Sequence, residues 1–157
     1  MADPVRLGPI TVTVEGQRNQ IVVSEEEPST VLVGGSSGST SYLDQLINFS
    51  LSNLLTVTTG KTKFVFPVPA VLLGVTPSVN TAPVGSDVII DVNINGVSTF
   101  APANRPRVLD GQEVGAEATT FLDATVEAGD YLTVDVDQVG SSTPGDFLGV
   151  TVRYRLV

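Results

Sequence analysis

The chain has 157 residues, 41% of them hydrophobic and 16% charged, with a formal net charge of −9. It contains no histidine and no cysteine, which excludes disulfides, zinc thiolates, cysteine nucleophiles and histidine general bases. Its eight basic residues are scattered, so it offers no basic face to nucleic acid, and no apolar run approaches the roughly 20 residues of a membrane span.

The first region, 1–41, holds short apolar runs, "ITVTV" (10–14), "IVV" (21–23) and "TVLV" (30–33), and ends in the Gly/Ser stretch "GGSSGSTS" (34–41). Such a segment has strand-forming content but little to pack against, and reads as an attachment arm that adds strands to something else, with a flexible linker behind it. The opening "MADPVRLGPI" lacks a basic segment followed by an apolar core, so no signal peptide is expected. The sequence "TVLVGGSSGSTSYLDQL" has the outline of strand, Gly-rich loop and helix, but without the phosphate-binding lysine the linker reading is preferred.

Next comes "YLDQLINFSLSNLL" (42–55). Leu43, Leu46, Ile47, Leu51 and Leu54 recur at helical spacing behind a capping-box-like Ser41. Ile47, Phe49, Leu51, Leu55 and Val57 also alternate as a strand would. The spacing favours a short helix. "NFS" (48–50) is a glycosylation sequon, of little meaning without a secretory leader.

From residue 56 onward the pattern is β. Strands are expected at "KFVFPV" (63–68), "DVIIDVNI" (87–94), "VSTF" (97–100), "ATTFLDATV" (118–126), "YLTVDVDQV" (131–139) and "FLGVTVRYRLV" (147–157). Gly and Asp precede three of them: Gly85/Asp87, Gly129/Asp130 and Gly145/Asp146. Glycine permits a left-handed turn, and Asp can bond nearby amides. The expected fold is all-β, a jelly-roll-like antiparallel β-sandwich over 42–157 with an N-terminal extended arm and room for one short helix.

"DVNING" (91–96) matches the opening of a calcium loop. The twelfth position is Pro102, which cannot supply the bidentate carboxylate. Asp91, Asn93 and Asn95 instead share one face of a strand, and Asn95-Gly96 is the preferred dipeptide of a type I′ hairpin. Asp135 and Asp137 also share a strand face, roughly 6.5–7 Å apart by strand rise. That separation would suit glycosidase chemistry, yet carboxylates are routine on the wet face of a sheet. Arg105 and Arg107 bracket a proline in "ANRPRV" (103–108), a loop that could meet a carboxylate or sugar hydroxyl on a partner. No nucleophile–base pair is visible, so neither an enzyme, a cofactor nor a metal site is expected.

The C-terminal part resembles a β-sandwich module of tailed-bacteriophage virion proteins. The resemblance lies in four blocks in order: "PVGSDVIIDVNING", "NRPRV", "GDYLTVDVDQVG" and "PGDFL". It implies a jelly-roll-like structural protein, usually a homotrimer, that decorates or cements a phage head. Alternatives are a tail-fibre or spike subunit binding host polysaccharide and, least favoured, a glycan-cleaving enzyme. The polar positions it singles out are Asp91, Asn93, Asn95, Gly96, Arg105, Asp130, Asp135, Asp137 and Gln138, as turn and interface residues. Implied partners are further copies of the chain, the major capsid or another virion protein through the arm, and a host glycan, with no nucleic acid and no membrane. The implied location is the virion, assembled in the host cytoplasm.

Overall fold

The computed structural model describes residues 8–13, 22–26 and 43–157, and divides the chain into two compact units, Met1–Thr40 and Ser41–Val157. In the first unit β1 (Gly8–Thr13) pairs antiparallel with β2 (Val22–Glu26), with Thr11 opposite Ser24 and Thr13 opposite Val22. The "TVLV" run and the Gly/Ser stretch lie outside the described residues.

The second unit is a sandwich of two antiparallel sheets. One has the order β3 (Gln45–Leu54), β11 (Asp146–Leu156), β5 (Ala70–Ser78), β9 (Thr125–Val126). The other has the order β4 (Lys63–Val65), β10 (Tyr131–Gln138), β6 (Val88–Ile94). On the far side of β6 lie β7 (Val97–Ser98) and β8 (Arg107–Val108), separated by the 3-10 turn Pro102–Asn104. With β7 and β8 counted as one interrupted strand, the eight sandwich strands run 1-8-3-6 and 2-7-4-5. This is the interleaved order of a jelly roll, in which each sheet takes strands from both ends of the sequence.

The core follows from strand alternation. Val88, Ile90 and Val92 of β6, Leu132, Val134 and Val136 of β10, and Leu148, Val150 and Val152 of β11 all point between the sheets and are buried. Phe66 and Phe100 fill the largest spaces among them. The hairpin expected at Asn95-Gly96 is present: Asn95 has φ 52° and Gly96 φ 81°, and Ile94 stands opposite Val97. Both turn residues take positive φ, as a type I′ turn demands. The three strand-starting glycines, Gly85, Gly129 and Gly145, all have φ near 90°.

The expected helix is a strand. Of its five stripe residues, Leu43, Leu46 and Leu54 are 75%, 61% and 62% exposed. The alternating set decides instead: Ile47 and Phe49 enter the core while Leu46, Asn48 and Ser50 face out. A ladder of eight pairs with β11, from Gln45 opposite Tyr154 to Leu54 opposite Asp146, overrides the local spacing. Two other differences concern sheet length. "ATTFLDATV" forms a strand only at Thr125–Val126, with an isolated bridge from Ala118 to Val75. The nine-residue β5 stands where the pattern indicated no strand.

Candidate functional site

The polar positions singled out by the sequence fall on one face and one end of the β4–β10–β6 sheet. Asp91 of β6 stands directly opposite Asp135 of β10, and Asn93 opposite Thr133. The pairing slips between Val136 and Gln138, so Asp137 sits in a bulge, a device that re-aims a side chain. Asp137 is thereby turned toward Arg105, which arrives from the turn between β7 and β8.

Arg105 is the centre of this cluster. Its Nη2 lies 2.9 Å from Asp91 Oδ2 and its Nη1 donates to Asp137 Oδ2 at 2.9 Å. The Arg105 guanidinium is therefore occupied by two carboxylates of its own chain. The supposedly wet strand face is also covered here: Asp91 is only 3% exposed, and Asn93 and Thr133 are buried too. Asp91 Oδ1 and Arg105 Nε are buried without a hydrogen-bond partner. Burial pushes the Asp91 carboxyl above the ordinary aspartate value, opposed first by the Ser98 hydroxyl and then by the positive charge of Arg105.

The remaining residues tie neighbouring segments together. Asp130 closes the end of the sheet. Its Oδ1 accepts from Asn95 Nδ2 at 2.6 Å and its Oδ2 from Glu127 N at 2.8 Å. Tyr131 N donates to Asn95 Oδ1 at 3.1 Å. These bonds, Asn95 first, hold the Asp130 carboxyl below its ordinary value. Asp135 Oδ1 accepts from Gly60 N at 2.6 Å, and Gln138 Nε2 donates to Asp87 O at 2.9 Å. Arg107 is only loosely held: Nη2 donates to Ala103 O at 3.1 Å, and Asp87 is 3.9 Å away. Asp135 and Asp137 are thus engaged separately, one by a backbone amide and one by Arg105, rather than flanking an open cleft. No group of three or more acidic residues suited to hold a metal ion occurs among the described residues.

Beside Asn95 a hollow of about 450 Å³ is bordered by Ile94, Val97, Thr99, Asp123 and Glu127. It has hydrogen-bonding groups but no aromatic ring for a sugar to stack on. On the other sheet a surface network that sequence reasoning missed ties Asp44, just before β3, and Glu117, in the loop before β9, to β11. Arg153 bonds Glu117 at 2.9 Å and Asp44 at 2.9 Å, and Arg155 bonds Asp44 at 2.7 Å. The two arginines, Arg155 first, lower the Asp44 carboxyl.

The two classes of aspartate respond oppositely to acid. Asp44 and Asp130 have folded values below 3.8. Their contribution to stability is present above 3.8 and is lost as pH falls through the lowered values. Asp91 has a folded value above 3.8. The folded state takes up that proton before the unfolded chain does, so between the raised value and 3.8 acidification adds stability at this site. Urea melts of Asp91→Asn are therefore expected to fall more steeply on acidification than those of the parent chain. A shallower fall would assign the sign wrongly.

No protein-family model matches the chain, and no curated protein matches it.

Proposed function

We propose that the chain is a structural protein of a tailed-bacteriophage virion, a trimeric decoration or cement subunit of the capsid. The N-terminal arm would anchor it to the shell and the sandwich would face outward. One observation carries the reading beyond the sequence resemblance. Its shared polar residues spend their hydrogen bonds inside the chain: Asn95 on Asp130, Arg105 on Asp91 and Asp137, Gln138 on Asp87. Groups consumed in this way brace a surface, which supports a structural role for them.

Microscopy of the particle that carries the protein is expected to find many copies on the head, in threefold clusters. Shells lacking the protein should be less stable and should recover on adding the full chain. A variant without residues 1–39 should keep the circular dichroism of a β protein and fail to dock. A few copies at a tail tip, with adsorption blocked by free protein, would replace this reading by the glycan-binding one, for which the hollow beside Asn95 is the available site.

A further inference from the structure

We infer that the edge of β3 that has no strand partner among the described residues is an interface at which the β3 strand of a second copy of this chain pairs antiparallel. The inference concerns a different surface from the arm and goes beyond the proposed role on a virion.

The sandwich has four sheet edges, and they differ sharply. Three are short: β4 has three residues, β9 two, and β7 and β8 two each. Short strands are a usual protection against unwanted pairing. The fourth, β3, has ten residues, pairs only with β11 among the described residues, and contains neither proline nor a charge. Neutrality extends from Gln45 to Gly60 in a chain whose net charge is −9. A row of unpaired backbone groups on such an edge is a template for another strand.

Local geometry adds a second observation. Asn53 (φ 74°) and Phe147 (φ 49°) both take positive φ, and both lie in the bulge between the pairs Leu54–Asp146 and Leu51–Leu148. Asn tolerates this region, but a bulky Phe there is an outlier held in place by its surroundings. The bulge leaves Phe147 half exposed beside the edge. Two hollows of about 290 and 280 Å³ flank the strand, and both are bordered by Ser50, Leu51 and Ser52. The ring, on the neighbouring β11, and the hollows give the surface around the neutral strand relief that a second chain can fit.

Charge selects the occupant. Two chains of net charge −9 repel each other, and the β3 edge carries no charge that would add to that repulsion. A basic partner would gain nothing from an edge without acids. A second copy brings the same neutral strand about a two-fold axis. Pairing centred on Asn48, Phe49 or Ser50 sets residues of one face opposite residues of that face. Ile47, Phe49 and Leu51 then extend the apolar layer, while Leu46, Asn48, Ser50 and Ser52 meet on the outside.

Sedimentation velocity of the full chain tests this. The unsubstituted protein is expected to have twice the mass of the double variant Asn48→Lys/Ser50→Lys, which sets like charges across the axis. The factor of two holds whether the unit being doubled is one chain or three. Dimer reduced to monomer would keep this inference and sink the trimer. A trimer that neither doubles nor responds to the lysines would do the reverse. Should the lysine variant fail to fold, Asn48→Cys/Ser50→Cys decides. The chain has no other cysteine, and each register above brings two of these thiols together, so oxidation should yield covalent dimers on a non-reducing gel. Monomer alone under oxidation would overturn the pairing.

Discussion

Arg105→Ala is expected to destabilise the sandwich by about 3 kcal/mol, read as a lowered denaturant midpoint at neutral pH. Removing one partner of a buried ion pair leaves the other uncompensated, at a cost of roughly 3–5 kcal/mol. The lower end applies because the Arg105 side chain keeps 26% of its exposure, whereas that of Asp91 keeps 4%. Asp91 Oδ1 already lacks a partner, and the variant would take the cation from Oδ2 as well. Part of the loss should return at low pH, where protonation of Asp91 removes the stranded charge. Arg105→Lys keeps the charge but cannot reach both carboxylates with two separate nitrogens, and should fall between. Pairing Arg105→Ala with Asp91→Asn should cost less than the sum of the two single changes. A loss below about 1 kcal/mol for Arg105→Ala, within the range of ordinary surface changes, would mean that the cluster is wetter than its geometry.

Arg105 also marks where the sequence stops being legible. Its partner Asp137 lies 32 positions away, and nothing local indicates that a bulge turns that carboxylate toward it. Alternation put Asp91 on a polar face; only the segment carrying Arg105, folding back over β6, makes that face dry. The features that were legible have local causes. Asn95-Gly96 reads as a turn because few dipeptides tolerate two positive φ values. The Gly-Asp pairs read as strand starts for the same reason, although only Asp130 caps its own turn, while Asp87 reaches across to Asp110 N at 2.9 Å.

The two misread strands fail for opposite reasons. In β3, leucines, serines and asparagines satisfy both a helical and an alternating count, and only the ladder with β11 separates them. In β5 the run "AVLLGV" hardly alternates. It lies between β11 and β9, and Ala118 and Val114 bridge to its Val75 and Ser78. Both edges are therefore paired, neither face has an exposed position, and a strand shielded on both faces loses the polar positions that would reveal its period.

Phe66→Ala is expected to remove about 3–5 kcal/mol, the range for deleting a buried aromatic ring. Phe66 is 1% exposed and sits where the two layers meet. Its ring packs edge-on against Phe64 of β4 at 5.0 Å and Tyr154 of β11 at 5.2 Å. Its backbone is fixed as well: Phe66 N donates to Asp130 O at 2.8 Å, and Gly129 N donates to Phe66 O at 2.7 Å. With both neighbours held, the site cannot collapse far, so the cavity term should stay large. For a domain of ordinary stability, about 5–15 kcal/mol, that is roughly a fifth or more of the total. Phe66→Leu should recover most of it, because volume counts for more than aromaticity in a core. The consequence for assembly separates this residue from β3. Phe66 is not part of the neutral edge, so Phe66→Ala should melt at lower denaturant yet sediment, while still folded, with the mass of the unsubstituted protein. A folded Phe66→Ala chain at half that mass would mean that Tyr154, which stands opposite Gln45 at the start of β3, transmits the loss of packing to the edge.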